Sequence, residues 1–170
     1  MVATISIQQI SPEIVAAFKT ARLTALQDVP TAFGRTYAEE SLLTDSDWLN
    51  RSVSWSNGHS SIAYLAMASD LPCGIVASHL DAKNPQLAHL LSMWVAEPQR
   101  RTGLGALLVD AVRVWAERRG VQQLMLDVTS NNHKAMRFYE RLGFARNGVT
   151  EPYPNDPNLF IYKMVRSLPG

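Results

Sequence analysis

Apolar positions along the chain change period several times, and each change marks an element. Thr4 to Gln9 reads as a short strand. Ser11-Pro12 supplies a capping hydroxyl and a proline for the first helical position, and Ile14, Val15, Phe18, Ala21, Ala25 and Leu26 then keep helical phase until Pro30. A second helical region spans Thr36 to Ser54, broken near Thr44-Asp45-Ser46, with Ser46 as the cap of its second part, Asp47-Trp48-Leu49 onward. Ser61 to Ala68 and Gly74 to Leu80 are rich in Ile, Val, Tyr and Leu, and Ser69-Asp70-Leu71-Pro72 reads as the turn of an antiparallel pair. Lys83-Asn84-Pro85 turns the chain into the apolar run Leu87 to Val95, which Glu97-Pro98 closes.

Helical period returns with Leu104, Leu107, Leu108, Ala111, Val112 and Trp115, opposite Asp110, Arg113, Glu117 and Arg118. Gly120 ends this helix, and Val121 to Val128 forms the next strand. Either Asn131 or Asn132 caps a further helix that stops at Gly143. Phe144 to Val149 and Leu159 to Val165 make a last strand pair around the loop Thr150 to Asn158. With no linker or repeat in view, the simplest assembly is one α+β domain over residues 1–170, a mixed and mostly antiparallel sheet flanked by helices.

Composition narrows the class. At 170 residues and 46% hydrophobic content the chain can bury a substantial core and is not of disordered type. Met1-Val2-Ala3-Thr4 lacks the pattern of a signal peptide, and no apolar run approaches the roughly 20 residues of a membrane span. Cys73 is the single cysteine, so no internal disulfide forms, which points to a cytoplasmic protein with Cys73 as a structural residue. A formal charge of +1 gives no case for nucleic acid as a partner. His59, His79, His89 and His133 are scattered without metal-ligand spacing, so no metal is expected.

The chemistry starts at Arg100-Arg101-Thr102-Gly103-Leu104-Gly105, between an apolar strand and an amphipathic helix. The first turn of that helix has unpaired N–H groups and the positive end of the helix dipole, and glycines let an anion approach the backbone. The predicted ligand is a phosphate, held by Arg100, Arg101, Thr102, Gly103, Leu104, Gly105 and Ala106, and a β-carbon at Gly105 is expected to crowd it. The segment lacks the lysine and hydroxyl of a nucleotide P-loop and the third glycine of a dinucleotide fingerprint.

Arg-x-x-Gly-x-Gly here resembles the pyrophosphate loop of the GNAT superfamily of acyl-CoA-dependent N-acyltransferases. A second block, Asn132-x-x-Ala135-x-x-Phe138-Tyr139-Glu140-Arg141-Leu142-Gly143-Phe144, resembles the other signature of that family. A looser likeness runs from Arg22-Leu23 through Ala32-Phe33-Gly34 and Glu39-Glu40 to Met164-Val165. The resemblance implies an acetyl-CoA-dependent N-acetyltransferase acting on a small-molecule or peptide amine, working by direct transfer, and a homodimer. A longer acyl donor, or a non-catalytic acyl-CoA sensor, stays open beside it.

The resemblance also implies roles. The strand before the loop parts from its neighbour, and backbone groups of Met93 and Val95 hold the pantetheine arm. Asn132 contacts that arm, and Tyr139 protonates the departing thiolate, for which a neutral phenol is suited. The base that frees the amine is Asp127 through a water, on a strand whose alternation turns it either into the cleft or to solvent; His89 is the alternative. The acceptor pocket is expected from the first helices and the last loop, with Phe33, Tyr37, Glu40, Trp48, Tyr153 and Asp156; Glu40 would either hold an ammonium or stand solvated.

Overall fold

The computed structural model describes residues 4–169, so the Met1–Ala3 part of the stretch read as lacking a signal pattern lies outside the described residues. The strands are β1 (Ile5–Gln9), β2 (Ser61–Ala68), β3 (Leu71–Leu80), β4 (Leu87–Val95), β5 (Gln123–Thr129), β6 (Ala145–Pro152) and β7 (Phe160–Ser167). The helices are α1 (Val15–Asp28), α2 (Tyr37–Glu40), α3 (Asp45–Ser54), α4 (Leu104–Glu117) and α5 (His133–Arg141). The seven strands form one sheet in the order β1-β2-β3-β4-β5-β7-β6. β4 and β5 run parallel, and the other neighbours are antiparallel. The fold is therefore α+β with a mostly antiparallel sheet.

Both sheet faces are covered. On one, Leu104, Leu108, Val112 and Trp115 of α4 pack with Val76, Leu90, Leu124, Leu126 and Met164. On the other, Phe18, Ala21, Ala25 and Leu26 of α1 pack with Trp48, Leu65, Ile75 and Trp94. Burial on two sides explains why β2 and β3 read as nearly continuous apolar runs. Trp48 belongs to this second core at 1% exposure, edge-on to Phe18 with centroids 5.5 Å apart, and so does not line an acceptor pocket. Cys73 is buried in β3 and burial raises its thiol, as a structural cysteine requires.

Several boundaries differ from the sequence reading, each for a local reason. Ser11 does not cap: its hydroxyl donates to Glu13 Oε2 at 2.7 Å, and a 3₁₀ turn at Pro12–Ile14 precedes α1. The region from Thr36 to Ser54 is two helices, each started by a capping box, Thr36 with Glu39 and Thr44 with Asp47. The cap is thus Thr44 rather than Ser46. The β2–β3 turn is only Ser69-Asp70, with Ser69 at φ +56°, and Leu71-Pro72 already pair in the ladder. β6 continues to Pro152, because Gly148 at φ +87° lies in a register shift that lets pairing resume at Thr150.

One irregularity positions the site. β4 pairs β5 only from Leu87–Gln123 to Leu90–Leu126, and the two strands then separate. Just beyond, Ser92 takes φ +57° and the register with β3 shifts between Ile75 and Ala77. The bulge turns β4 away from β5, so from Leu91 onward the β5-facing edge of β4 has no strand partner. A wedge opens in the middle of the sheet.

Candidate active site

Two cavities meet at this wedge. One, of about 830 Å³, lies between the end of β4, the loop before α4 and the face of α5. The other, of about 540 Å³, lies between β4, β5 and the segment from α1 to α3. Ala32, Met93, Asn132, Ala135 and Tyr139 border both.

The first cavity is built largely of backbone. Gly103 stands at the N-cap of α4 with φ +91°, a conformation glycine adopts without strain, and it offers no side chain to cap the helix. The first N–H groups of α4 thus remain available to a ligand. Thr102 Oγ1 donates to the Gln99 carbonyl at 2.5 Å and tightens the loop. At Gly105 the structure shows a further close approach: a β-carbon there would lie 3.0 Å from the Phe138 ring and 3.3 Å from Met93 Cε. Its absence lets α5 approach α4.

Arg100 and Arg101 have different surroundings. Arg100 is paired with Asp28 at the end of α1 and donates through Nε to the Val95 carbonyl at 2.9 Å. Asp28 also accepts from Trp94 Nε1 at 2.8 Å, so Arg100 braces the end of β4. Arg101 is exposed beside the cavity. Lys134, Arg137 and Arg141, which sequence reasoning missed, border the same cavity from α5. Their spacing of three and four residues, one basic face around Phe138, was the available signal. Uncapped amides, a glycine turn and basic side chains on two walls suit a polyanion of CoA type.

At the junction, Asn132 caps α5 itself, its Oδ1 accepting from the Ala135 N–H at 3.2 Å. Asn131 does not take that role. The Asn132 amide group keeps its donors for a ligand. Tyr139 is buried at 7% exposure, packed edge-on against Phe138 and Phe144. Burial raises its phenol well above the usual range, so it stays neutral.

The second cavity is built of side chains far apart in sequence. Arg22 donates Nε and Nη2 to the two oxygens of Glu40, both at 2.9 Å, and Nη1 to Ser92 Oγ at 3.0 Å. Arg51 Nη1 lies 3.2 Å from Glu40 Oε1. Burial alone would raise the Glu40 carboxyl, but the two guanidiniums outweigh it and hold it below the ordinary value. Glu40 is thus neither solvated nor free for an ammonium; it is the anionic centre of a buried arginine pair. Arg22 sits in the apolar phase of α1, four residues after Phe18, which was the signal for its burial.

The remaining expected residues separate. Phe33 lines the second cavity and lies 5.0 Å below the Arg22 guanidinium. Tyr153 is buried and donates to the Phe33 carbonyl at 2.8 Å, so it anchors this segment without bordering the cavity. Tyr37 and Asp156 lie outside both cavities. Asp127 borders the second cavity, is half exposed and accepts from Lys163 Nζ at 2.9 Å. His89 borders it too, its Nε2 2.8 Å from Asp81 Oδ2, and this contact holds the Asp81 carboxyl at about 2. His79 stacks against it at 5.0 Å.

Comparison with known proteins agrees with this geometry. A probable N-acetyltransferase of Drosophila melanogaster, named san, is 27% identical over 116 residues, which are 64% of this chain and 63% of that protein. The chain thus spans less than two thirds of that relative. Among solved structures, a GNAT-family acetyltransferase from Streptococcus pneumoniae superposes with a TM-score of 0.81 at 22% identity, covering 98% of this chain and 100% of that one. The PaiA N-acetyltransferase of Thermoplasma acidophilum, solved in complex with coenzyme A, gives 0.74 at 19% identity, covering 97% and 99%. The acetyltransferase (GNAT) family model matches residues 23–144, from within α1 to the residue before β6, and the chain belongs to that family of acyltransferases.

Proposed function

We propose that the chain transfers an acetyl group from acetyl-CoA to a primary amine, with both substrates bound together across the wedge. The observation that carries this reading is the meeting of the two cavities at Tyr139 and the unpaired edge of β4. One cavity suits a polyanionic donor and the other a small acceptor, and a reacting pair held at their junction gains the advantage of proximity.

Acetyl-CoA supplies an activated thioester; the chain supplies position, charge and proton handling. Gly103, Leu104, Gly105 and Ala106 offer backbone N–H groups to the pyrophosphate, with Arg101, Lys134, Arg137 and Arg141 as surrounding cations. Met93 and Val95 offer backbone groups to the pantetheine amides, and the Asn132 amide donates beside them. Backbone N–H groups at the splayed edge of β4 stabilise the charge that develops on the carbonyl oxygen. Asp127, through a water, takes the proton that an ammonium must lose before it attacks. Tyr139 keeps its proton at neutral pH and presents it to the departing sulfur, and the second proton that the nitrogen sheds as the amide forms restores the phenol.

Release of free CoA thiol, followed while acetyl-CoA is offered with a library of amines, tests the reading. Thiol released in step with an acetylated amine is the expected result. Acetyl-CoA that binds without thiol release for any amine would replace it with a binding role.

A further inference from the structure

The acceptor-side cavity holds a charge imbalance that packing does not account for. Arg22 and Arg51 are sunk into its wall, with side-chain exposures of 5% and 19%, and share one carboxylate, Glu40, at 2%. Glu40 is the one acid in ion-pair contact with both guanidiniums; Asp47 feels Arg51 through its field, but its carboxylate is engaged in the cap of α3. Arg35 adds a third cation on the same wall, exposed and without a hydrogen bond or ion pair among the described residues. The cavity's other acid, Asp127, is paired with Lys163, which also reaches Glu151 at 3.6 Å; neither Lys163 nor Glu151 is part of the lining.

Excess charge in a buried site is costly unless something compensates it. Aromatic faces do so in part: Arg22 lies 5.6 Å from the Trp55 centroid and Arg51 5.2 Å from the same ring. Those rings orient the guanidiniums but bring no negative charge. Two donors are not fully used. Arg51 Nη1 is buried against Glu40 Oε1 at 3.2 Å in a geometry too poor for a full hydrogen bond, so what is open to the cavity is the rest of a side chain 19% exposed. The Thr129 hydroxyl, from a residue that also borders the cavity, is buried without a partner among the described residues.

We infer that the amine acceptor of this cavity also carries a carboxylate, as an amino acid does, with Arg51 and Arg35 as its anion ligands. This deepens the transferase reading above and rests on it. A carboxylate supplies the missing charge and matches the planar fork of an arginine. Each nitrogen of Arg22 already donates to Glu40 or Ser92, so it contributes its field and the rigidity of the wall. At the far end His89 is paired with Asp81, and His79 packs against it. Polycationic acceptors are disfavoured by the same excess.

Calorimetry tests this without turnover. The chain, with CoA present, is titrated with N-acetyl derivatives of the common amino acids and with the matching N-acetyl amino-acid amides. At least one acid should bind about tenfold or more tighter than its amide, the worth of a charge-assisted contact. Arg51→Gln and, separately, Arg35→Gln should remove most of that difference and leave CoA affinity unchanged. Arg35 is exposed, so its variant keeps the test decisive if Arg51→Gln does not fold. Equal binding of acid and amide, tighter binding of the amide, or no binding by any acid overturns the inference. A preference for acids with no thiol release from any amine overturns the transferase reading instead and leaves the carboxylate site standing.

Discussion

The two halves of the cleft use the chain in opposite ways. The donor half has a local centre: a strand end, a glycine turn and the first turn of α4 lie within about fifteen consecutive residues and offer backbone amides, with Lys134, Arg137 and Arg141 of α5 forming the opposite wall. The acceptor half is assembled from Arg22, Glu40, Arg51 and Ser92, joined by hydrogen bonds or ion pairs between residues as much as 70 positions apart. Backbone amides at a helix start bind an anion almost irrespective of side chain, which makes that half a general device. A buried network binds according to its side-chain charges, which makes the other half specific. The two cavities share a border at Met93, Asn132, Ala135 and Tyr139, where the proposed function has a common donor meet a particular acceptor.

The comparison breaks most visibly at Glu40. Glu40→Gln leaves the buried Arg22 and the partly buried Arg51 without their shared acid and should cost roughly 3–5 kcal/mol in denaturant unfolding. The folded carboxyl is held below its ordinary value of 4.5, so its contribution is present above that value and is lost as the pH falls through the folded one. Wild-type stability should therefore drop on acidification below about pH 4.5, and the variant should show a shallower drop there. If the halves are independent, whatever Glu40→Gln protein remains folded should bind CoA as wild type does.

Asp127→Asn comes next. A loss of about 100-fold in turnover is expected, greatest below neutral pH, where more of the amine is protonated. A pH–rate profile identical to wild type would move the role to His89, which Asp81 already orients, or to solvent.

The donor half is sharpened by its glycines. Gly105→Ala should cost about 1–3 kcal/mol through overpacking, since the new methyl meets Phe138 at 3.0 Å. Phe138→Leu in the same chain should restore part of it, whereas crowding of phosphate alone would leave stability untouched. Gly103→Ala has open space around the new methyl but a φ of +91°, so about 1–2 kcal/mol of strain is expected. CoA affinity, followed by calorimetry, should fall in that variant as the loop reshapes.

Period and punctuation made much of the fold legible. Leu87 to Val95 was bounded correctly because an apolar run met Glu97-Pro98, and α4 began where glycines gave way to helical spacing. The glycine turn before α4 was legible for the same reason, its residues being contiguous. Errors came where two local signals competed, as with Thr44 and Ser46, or where a bulge let pairing resume beyond an apparent break, as at Gly148. The acceptor network was not legible, because no local pattern tells that a glutamate in a four-residue helix will meet arginines of two other helices. Only the intrusion of Arg22 into an apolar helical face hinted at it.

The central claim is that the two halves meet at the Tyr139 hydroxyl, and Tyr139→Phe tests it with the least disturbance. Removing one oxygen keeps the ring among Phe138 and Phe144, so stability should change little. Steady-state kinetics on an accepted amine should show kcat lower by about 10²- to 10⁴-fold, with acetyl-CoA affinity nearly unchanged, because the contact matters as charge develops on sulfur. Wild-type turnover in the folded variant would contradict the claim and leave Tyr139 as a core residue shared by two cavities.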